Sequence, residues 1–204
     1  LFTPFVSISV AIILFEGALT LNWKEVRQVA GVVRNLLTIG ALITWLGSAV
    51  AAHYLVGLSW NLAFLFGALI IVTGPTVVAP ILRNVRPTAN VGSILRWEGI
   101  LIDPIGASIA VVVFELVVTG ADLSWQDTLI SFALLATVGC TLGAIAGYLT
   151  YVVLQRYLVP DYLRDIMVLT AVIVIFVLSD TLLHESGLFA VTVMGIFLAN
   201  TNLR

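Results

Sequence analysis

Seven stretches of mostly apolar residues follow one another through the 204-residue chain, at 3–21, 35–57, 60–82, 94–118, 128–154, 166–183 and 187–201. A helix needs about 20 such residues to cross the ~30 Å hydrocarbon core of a bilayer, so each stretch is a predicted span. The last is short enough to be tilted, half-buried or shielded by its neighbours. The runs are continuous, whereas barrel strands alternate over only about 9–11 residues. The fold class is therefore all-α, a polytopic transmembrane helix bundle. Only 10% of the residues are charged, against about 25% in a soluble domain whose surface must be wetted. That excludes a soluble enzyme, a nucleic-acid-binding domain and a disordered linker. The lipid bilayer is a partner and nucleic acid is not. The single cysteine, Cys140, excludes a disulfide framework or a Cys-based metal site.

The chain begins at Leu1 without an initiator Met and stops at Arg204 just after an apolar run. It is expected to be an internal piece of a longer polypeptide. The basic residues orient the bundle. Lys24, Arg27 and Arg34 follow the first span, Arg83, Arg86 and Arg96 the third, Arg156 and Arg164 the fifth, and Arg204 the seventh. All nine thus fall on one side, while the opposite connections carry Asp122, Asp127, Asp180, Glu185 and the two His residues near their edges. The positive-inside rule puts the basic side in the cytoplasm, with the chain's start outside and its end inside. A bacterial or archaeal inner membrane fits this pattern. Trp23, Trp60, Trp97 and Trp125 sit near span ends, as interfacial anchors do, and Trp45 is a mid-span packing residue. Gly139, Gly143 and Gly147 form a stripe every four residues that lets another helix approach closely, with a hinge as the other reading.

Two places break the membrane pattern. The third span contains Thr73-Gly74-Pro75-Thr76; Pro75 removes a backbone donor, and Gly74 tolerates unwinding. Thr73 and Thr76 offer hydroxyls, and freed carbonyls are tolerated at this depth only inside protein or facing water. By itself the stretch also reads as a plain proline kink. The fourth span contains Glu98-Gly99-Ile100-Leu101-Ile102-Asp103-Pro104, with Asp103 flanked by apolar residues and Glu98 nearer the interface. Counted from Trp60, Thr73 lies thirteen residues in, or ~20 Å, and Asp103 lies nine residues from Ile94 on the other side, or ~14 Å. Both depths fall in the cytoplasmic half to the middle of the core. A carboxylate beside a broken helix at membrane depth is how secondary transporters build cation sites. Burial disfavours a charged carboxylate and a nearby cation favours it. One Asp can therefore hold a proton or help to bind a cation, with hydroxyl and carbonyl oxygens as neutral ligands for a hard ion. Alternating exposure of such a site gives cation/proton exchange.

These residues also resemble a family, the monovalent cation–proton antiporters, and within it the NhaP-type sodium/proton branch. Thr73 to Pro80 resembles the family's broken helix, and Glu98 to Pro104 resembles its acidic signature helix. Ser186-Gly187-Leu188-Phe189-Ala190-Val191, with Gly195 to Asn200, resembles a later Ser-Gly-hydrophobic-Ala segment. The resemblance implies an inverted-repeat, NhaA-like fold with a discontinuous helix, usually dimeric. It implies that Asp103 carries the ion and the proton, with Thr73 contributing to the ion site. Gly74, Pro75 and Thr76 would form the break, and Glu98 would pair with an Arg beyond Arg204. The family commonly has Asp where Gly74 stands and Asn where Ile102 stands, so potassium is as fitting a cargo as sodium. No cofactor or resident metal is implied; the cation is cargo.

Glu16 and Glu115 read as snorkelling or cavity-lining residues, His53 and His184 as interfacial histidines, and Cys140 as core. No zinc-protease, nucleophile-elbow or phosphate-loop motif is present in the sequence. The functional expectation is a secondary antiporter exchanging Na+ or K+ for H+, with no enzyme activity. The alternative is a cation channel or a sodium-coupled solute carrier. An intramembrane enzyme or scaffold has little support, since an aspartyl protease needs a second deep Asp.

Overall fold

Residues 23–34 fall outside every predicted span, yet they are helical. Val26, Val29 and Val33 recur at helical spacing and are buried, while Lys24, Arg27 and Arg34 occupy another face. An apolar-window criterion misses such a helix because charged and polar residues on its other faces lower the average. The helix continues without interruption as Trp23–Val56, a rod of 34 residues. At 1.5 Å per residue the rod is ~51 Å long, ~20 Å more than a bilayer core.

A computed structural model describes residues 2–119, 125–156 and 159–201; the side chains of residues 2, 3, 75, 76, 79, 118, 119 and 125–129 stand outside that description. Asp122 and Arg204, and the side chains of Trp125 and Asp127, thus lie beyond what is described. The described residues form helices and no strand: α1 (Phe2–Leu19), α2 (Trp23–Asn35), a π-helical segment (Leu36–Gly40), α3 (Ala41–Val56), α4 (Trp60–Ile70) and α5 (Pro75–Val85). After these come α6 (Ala89–Thr119), α7 (Trp125–Gln155), a 3-10 turn (Asp161–Leu163), α8 (Arg164–Leu182) and α9 (Ser186–Ala199). Four helical stretches, Trp23–Val56, Ala89–Val117, Ile130–Gln155 and Asp161–Leu182, are long and apolar enough to cross a membrane. The third predicted span is two helices, α4 and α5, with non-helical backbone between them. The chain is thus an all-α polytopic bundle with a discontinuous helix.

By its contacts the chain divides into two units, Leu1–Trp23 with Ala133–Arg204, and Lys24–Phe132. In the first unit α9 is apolar on every side and is correspondingly buried, in eleven of its fourteen residues. At ~21 Å it is shorter than the ~30 Å core, and burial by neighbours relieves it of facing lipid. Each neighbour meets a different small residue. A Cβ added to Gly187 would stand 2.7 Å from the Phe176 ring of α8, and one on Gly195 2.6 Å from Ala18 of α1. Ala190 receives α7, where a Cβ on Gly143 would collide with the Ala190 carbonyl and one on Gly139 would lie 2.6 Å from Phe189 Cβ. Gly139 and Gly143 thus serve close packing, with Phe197 against Gly147.

The ends of α9 are held by polar contacts. Ser186 Oγ donates to the Ser179 carbonyl at 2.8 Å and therefore accepts from Ser179 Oγ at 2.7 Å. At the other end Asn200 Nδ2 donates to the carbonyls of Leu21 and Ile196 at 2.9 and 2.8 Å, and Oδ1 accepts from the Trp23 amide at 2.7 Å. The Ser-Gly-hydrophobic-Ala…Gly…Asn pattern is, in this unit, a set of helix contacts.

In the second unit α3 and α4 form an antiparallel hairpin, closed by Gly57 in the left-handed conformation (φ 77°). Trp45 Nε1 donates to the Phe64 carbonyl at 2.9 Å, the packing role expected of it. His53 stacks on Trp60 at 4.0 Å, and its Nδ1 donates to the Leu58 carbonyl at 2.7 Å. Trp97 departs from expectation. Trp23 and Trp60 are 50% and 42% exposed, but Trp97 is 3% exposed and lies in the protein interior. Glu16 and Glu115 are exposed and Cys140 is half-buried.

Candidate functional site

Gly99, Asp103 and Gly106 follow one another at intervals of four and three residues, so they share one face of α6. The break between α4 and α5 lies along this face. A Cβ on Gly106 would stand 2.6 Å from Val72 Cγ2; one on Gly99 would stand 3.5 Å from the Thr73 carbonyl oxygen and from Val78 Cγ2. The missing side chains bring irregular backbone against the turn that bears Asp103. Beside it Ile102, 2% exposed, packs with Ile71 and Ala41, and Leu37 lies at the edge of the cluster. Leu37 belongs to the π-helical segment, Ile71 opens the break, and Pro104, buried in α6, cannot donate to the carbonyl four residues earlier. Three departures from regular helix thus meet at one level, where π turns and breaks commonly serve function.

The polar groups follow from this placement. Thr73 Oγ1 donates to Glu98 Oε1 at 3.1 Å, joining the broken helix to α6. Glu98 and Asp103 stand five residues apart on α6. Oδ1 of Asp103 is buried and accepts no hydrogen bond within the described chain. Neither carboxylate has a basic partner among the described residues. Arg96 turns away, its Nη2 lying 3.5 Å from Glu25 Oε2. The two half-helices add fixed partial charges. The last carbonyls of α4 favour a cation, and the first amides of α5 favour a carboxylate. Gly74 is the N-cap of α5 at φ −58° and Pro75 its first residue, a position where the missing N–H costs nothing. The side chain of Thr76 is outside the described set. Among the described residues no three His, Cys, Asp or Glu side chains are grouped to hold a metal ion.

The expected residues Thr73 and Glu98 are therefore in contact, and Asp103 shares the face of α6 that the break covers. Gly99, inside the motif but given no role there, and Gly106, Ile71 and the π-helical segment, outside it, are additions to the expected site. The seven-residue spacing of the two glycines was a readable signal for the first pair. Nothing in the local sequence marks the π turn.

The transmembrane sodium/hydrogen exchanger family model matches residues 2–204. The chain belongs to the sodium/hydrogen exchanger family. It is accordingly a multi-pass membrane protein. A Na(+)/H(+) antiporter of Aphanothece halophytica, ApNhaP, is 27% identical, over 94% of this chain and 36% of its own length. A K(+)/H(+) antiporter of Shewanella oneidensis, NhaP2, is 28% identical, over 96% of this chain and 34% of its own length. The chain thus spans about a third of these relatives. The solved sodium proton antiporter MjNhaP1 of Methanocaldococcus jannaschii superposes with a TM-score of 0.74 at 25% identity, covering 96% of this chain and 47% of that one.

Proposed function

We propose that this exchanger-family chain is the part of a secondary antiporter that exchanges Na+ or K+ for H+, with Asp103 holding the cation and the proton in alternation. The observation that carries the reading is the buried, unpartnered Oδ1 of Asp103 on the α6 face covered by the break. A carboxylate removed from water without a partner must be neutralised, and a proton or a cation can each do so, but not both at once. Thr73 and the carbonyls of the unwound segment supply neutral oxygens, and alternate opening of the site to the two sides couples the flows. Relatives named as Na(+)/H(+) and K(+)/H(+) antiporters support both cargoes. The same reading puts the chain's start outside and its end in the cytoplasm, in a homodimer.

The test is cation-dependent dissipation of a pH gradient by the full-length protein in vesicles. Proton release on adding Na+ or K+ is the expected result. Cation flux without opposite proton movement would instead make the protein a channel, and flux dependent on an organic solute a coupled carrier. Thr73→Val keeps the shape of the side chain and removes the hydroxyl that Glu98 accepts. A hydrogen bond to a charged group contributes about 1.5–3 kcal/mol, so the cation concentration for half-maximal exchange should rise about tenfold or more. An unchanged value would take the hydroxyl out of the site.

A further inference from the structure

The second unit carries six of the nine basic residues: Lys24 and Arg27 at the start of α2, Arg34 in its last turn, Arg83 and Arg86 at the end of α5, and Arg96 two turns into α6. At about 100° per residue, Lys24, Arg27 and Arg34 fall within ~80° of one another on α2, well away from the buried valines. The Glu25–Arg96 contact at 3.5 Å holds the first turn of α2 beside the early turns of α6. Only Pro87 and Thr88 separate Arg86 from α6. These elements bring Lys24, Arg27, Arg83, Arg86 and Arg96 to one end of the unit, with Glu25 as the nearby acid, and Arg34 follows ~10 Å beyond Arg27 on the same face of α2.

Arg27, Arg34, Arg83 and Arg86 are exposed, and none has a carboxylate partner among the described residues. In the other unit, by contrast, Arg164 lies 2.7 Å from Asp161. Arg86 also caps α5 in the left-handed conformation, at φ 47°. That conformation costs an L side chain roughly 1–2 kcal/mol and favours glycine, so backbone geometry does not account for an arginine there. Exposed Trp23 opens α2 and exposed Val85 stands between Arg83 and Arg86, so apolar surface adjoins the guanidiniums. The rod begun by α2 is ~20 Å longer than the hydrocarbon thickness, so its charged first turns belong outside the core, at the headgroups and beyond.

We propose that this end of the second unit is a docking surface for anionic phospholipids, whose headgroup phosphates are held by Arg27, Arg34, Arg83 and Arg86. Guanidinium matches a phosphate with two parallel hydrogen bonds, and exposed aromatic and aliphatic side chains suit a lipid interface better than an acidic soluble partner. The inference rests on membrane insertion and not on the exchange reaction.

The experiment incubates the full-length protein, in mild detergent, with an equimolar mixture of phosphatidylglycerol and phosphatidylcholine, and counts the retained headgroups by native mass spectrometry. Phosphatidylglycerol should be enriched at least about tenfold. Each basic residue near an anionic surface contributes about 1 kcal/mol, or ~30-fold for a pair, so the pairs Arg27→Gln/Arg34→Gln and Arg83→Gln/Arg86→Gln should each bring the enrichment close to equality. Both pairs change exposed residues, and unaltered thermal unfolding in detergent would show that the fold is kept. Arg86→Lys should retain much of the preference through charge. Equal retention of the two lipids by the unmodified protein would overturn the proposal, as would an enrichment that neither double variant changes. Complete displacement of the lipid by millimolar inorganic phosphate would also overturn it, by revealing a site for small anions.

Discussion

Asp103→Asn in the full-length protein is expected to lower cation-driven proton exchange at least ~100-fold in vesicles, while the protein still purifies as folded. Asparagine has nearly the same shape and remains neutral at every working pH. It mimics the protonated carboxyl, can neither release that proton nor offer the negative charge a cation needs, and so arrests the cycle. Removing one partner of a buried charge pair costs about 3–5 kcal/mol, which corresponds to a factor of 100 or more in cation affinity. Oδ1 of Asp103 has no hydrogen-bond partner within the described chain, so the substitution leaves no protein donor stranded. Unfolding temperature and yield should therefore stay near those of the unmodified protein. Normal exchange by this variant would remove Asp103 from the mechanism, and with it the proposed function.

The second large effect is structural. Gly143→Leu should lower the unfolding midpoint by roughly 10 °C, as expected for a loss of ~3 kcal/mol in a chain of this size. Even the Cβ would collide with the Ala190 carbonyl of α9, and that contact is backbone, which cannot rotate away. Gly143→Ala should show a smaller shift in the same direction. Gly47→Ala is the control, because a Cβ there meets nothing within 4 Å. Alanine gains up to about 1 kcal/mol over glycine in helix propensity, so that variant should be unchanged or slightly more stable. A midpoint unmoved by Gly143→Leu would mean that α7 does not approach α9 along this stripe.

Much of the site was readable because its parts are chemical exceptions in an apolar chain. A proline and a glycine within a run of apolar residues announce an interrupted helix, and α4 and α5 part at residues 71–74. An aspartate without a neighbouring base announces a functional carboxylate. The Thr73–Glu98 contact was not readable, because a hydroxyl and a carboxylate 25 residues apart meet only when α5 packs on α6. Helix boundaries failed where charge and burial coexist. Valines at 26, 29 and 33 are buried on one face of α2 while Lys24 and Arg27 occupy another, so the helix escapes a criterion that averages over a window. Trp97 failed for the opposite reason. Its position near a predicted span end suggested the interface, yet its ring is enclosed in the unit.

The sequence by itself determined the solvent of this protein, its helical class and the identity of its exceptional residues. Each follows from local chemistry: apolar length, missing charge, a proline, a lone carboxylate. Tertiary structure alone decided which face meets which. It set Gly99 and Gly106 against the break, aligned the π-helical segment with Ile102, and enclosed α9 among α1, α7 and α8. The reason is that helices apolar on every side carry no preferred face in their sequence. Their orientation is fixed by close packing, by small residues and a few hydrogen bonds that take effect only once the helices are together.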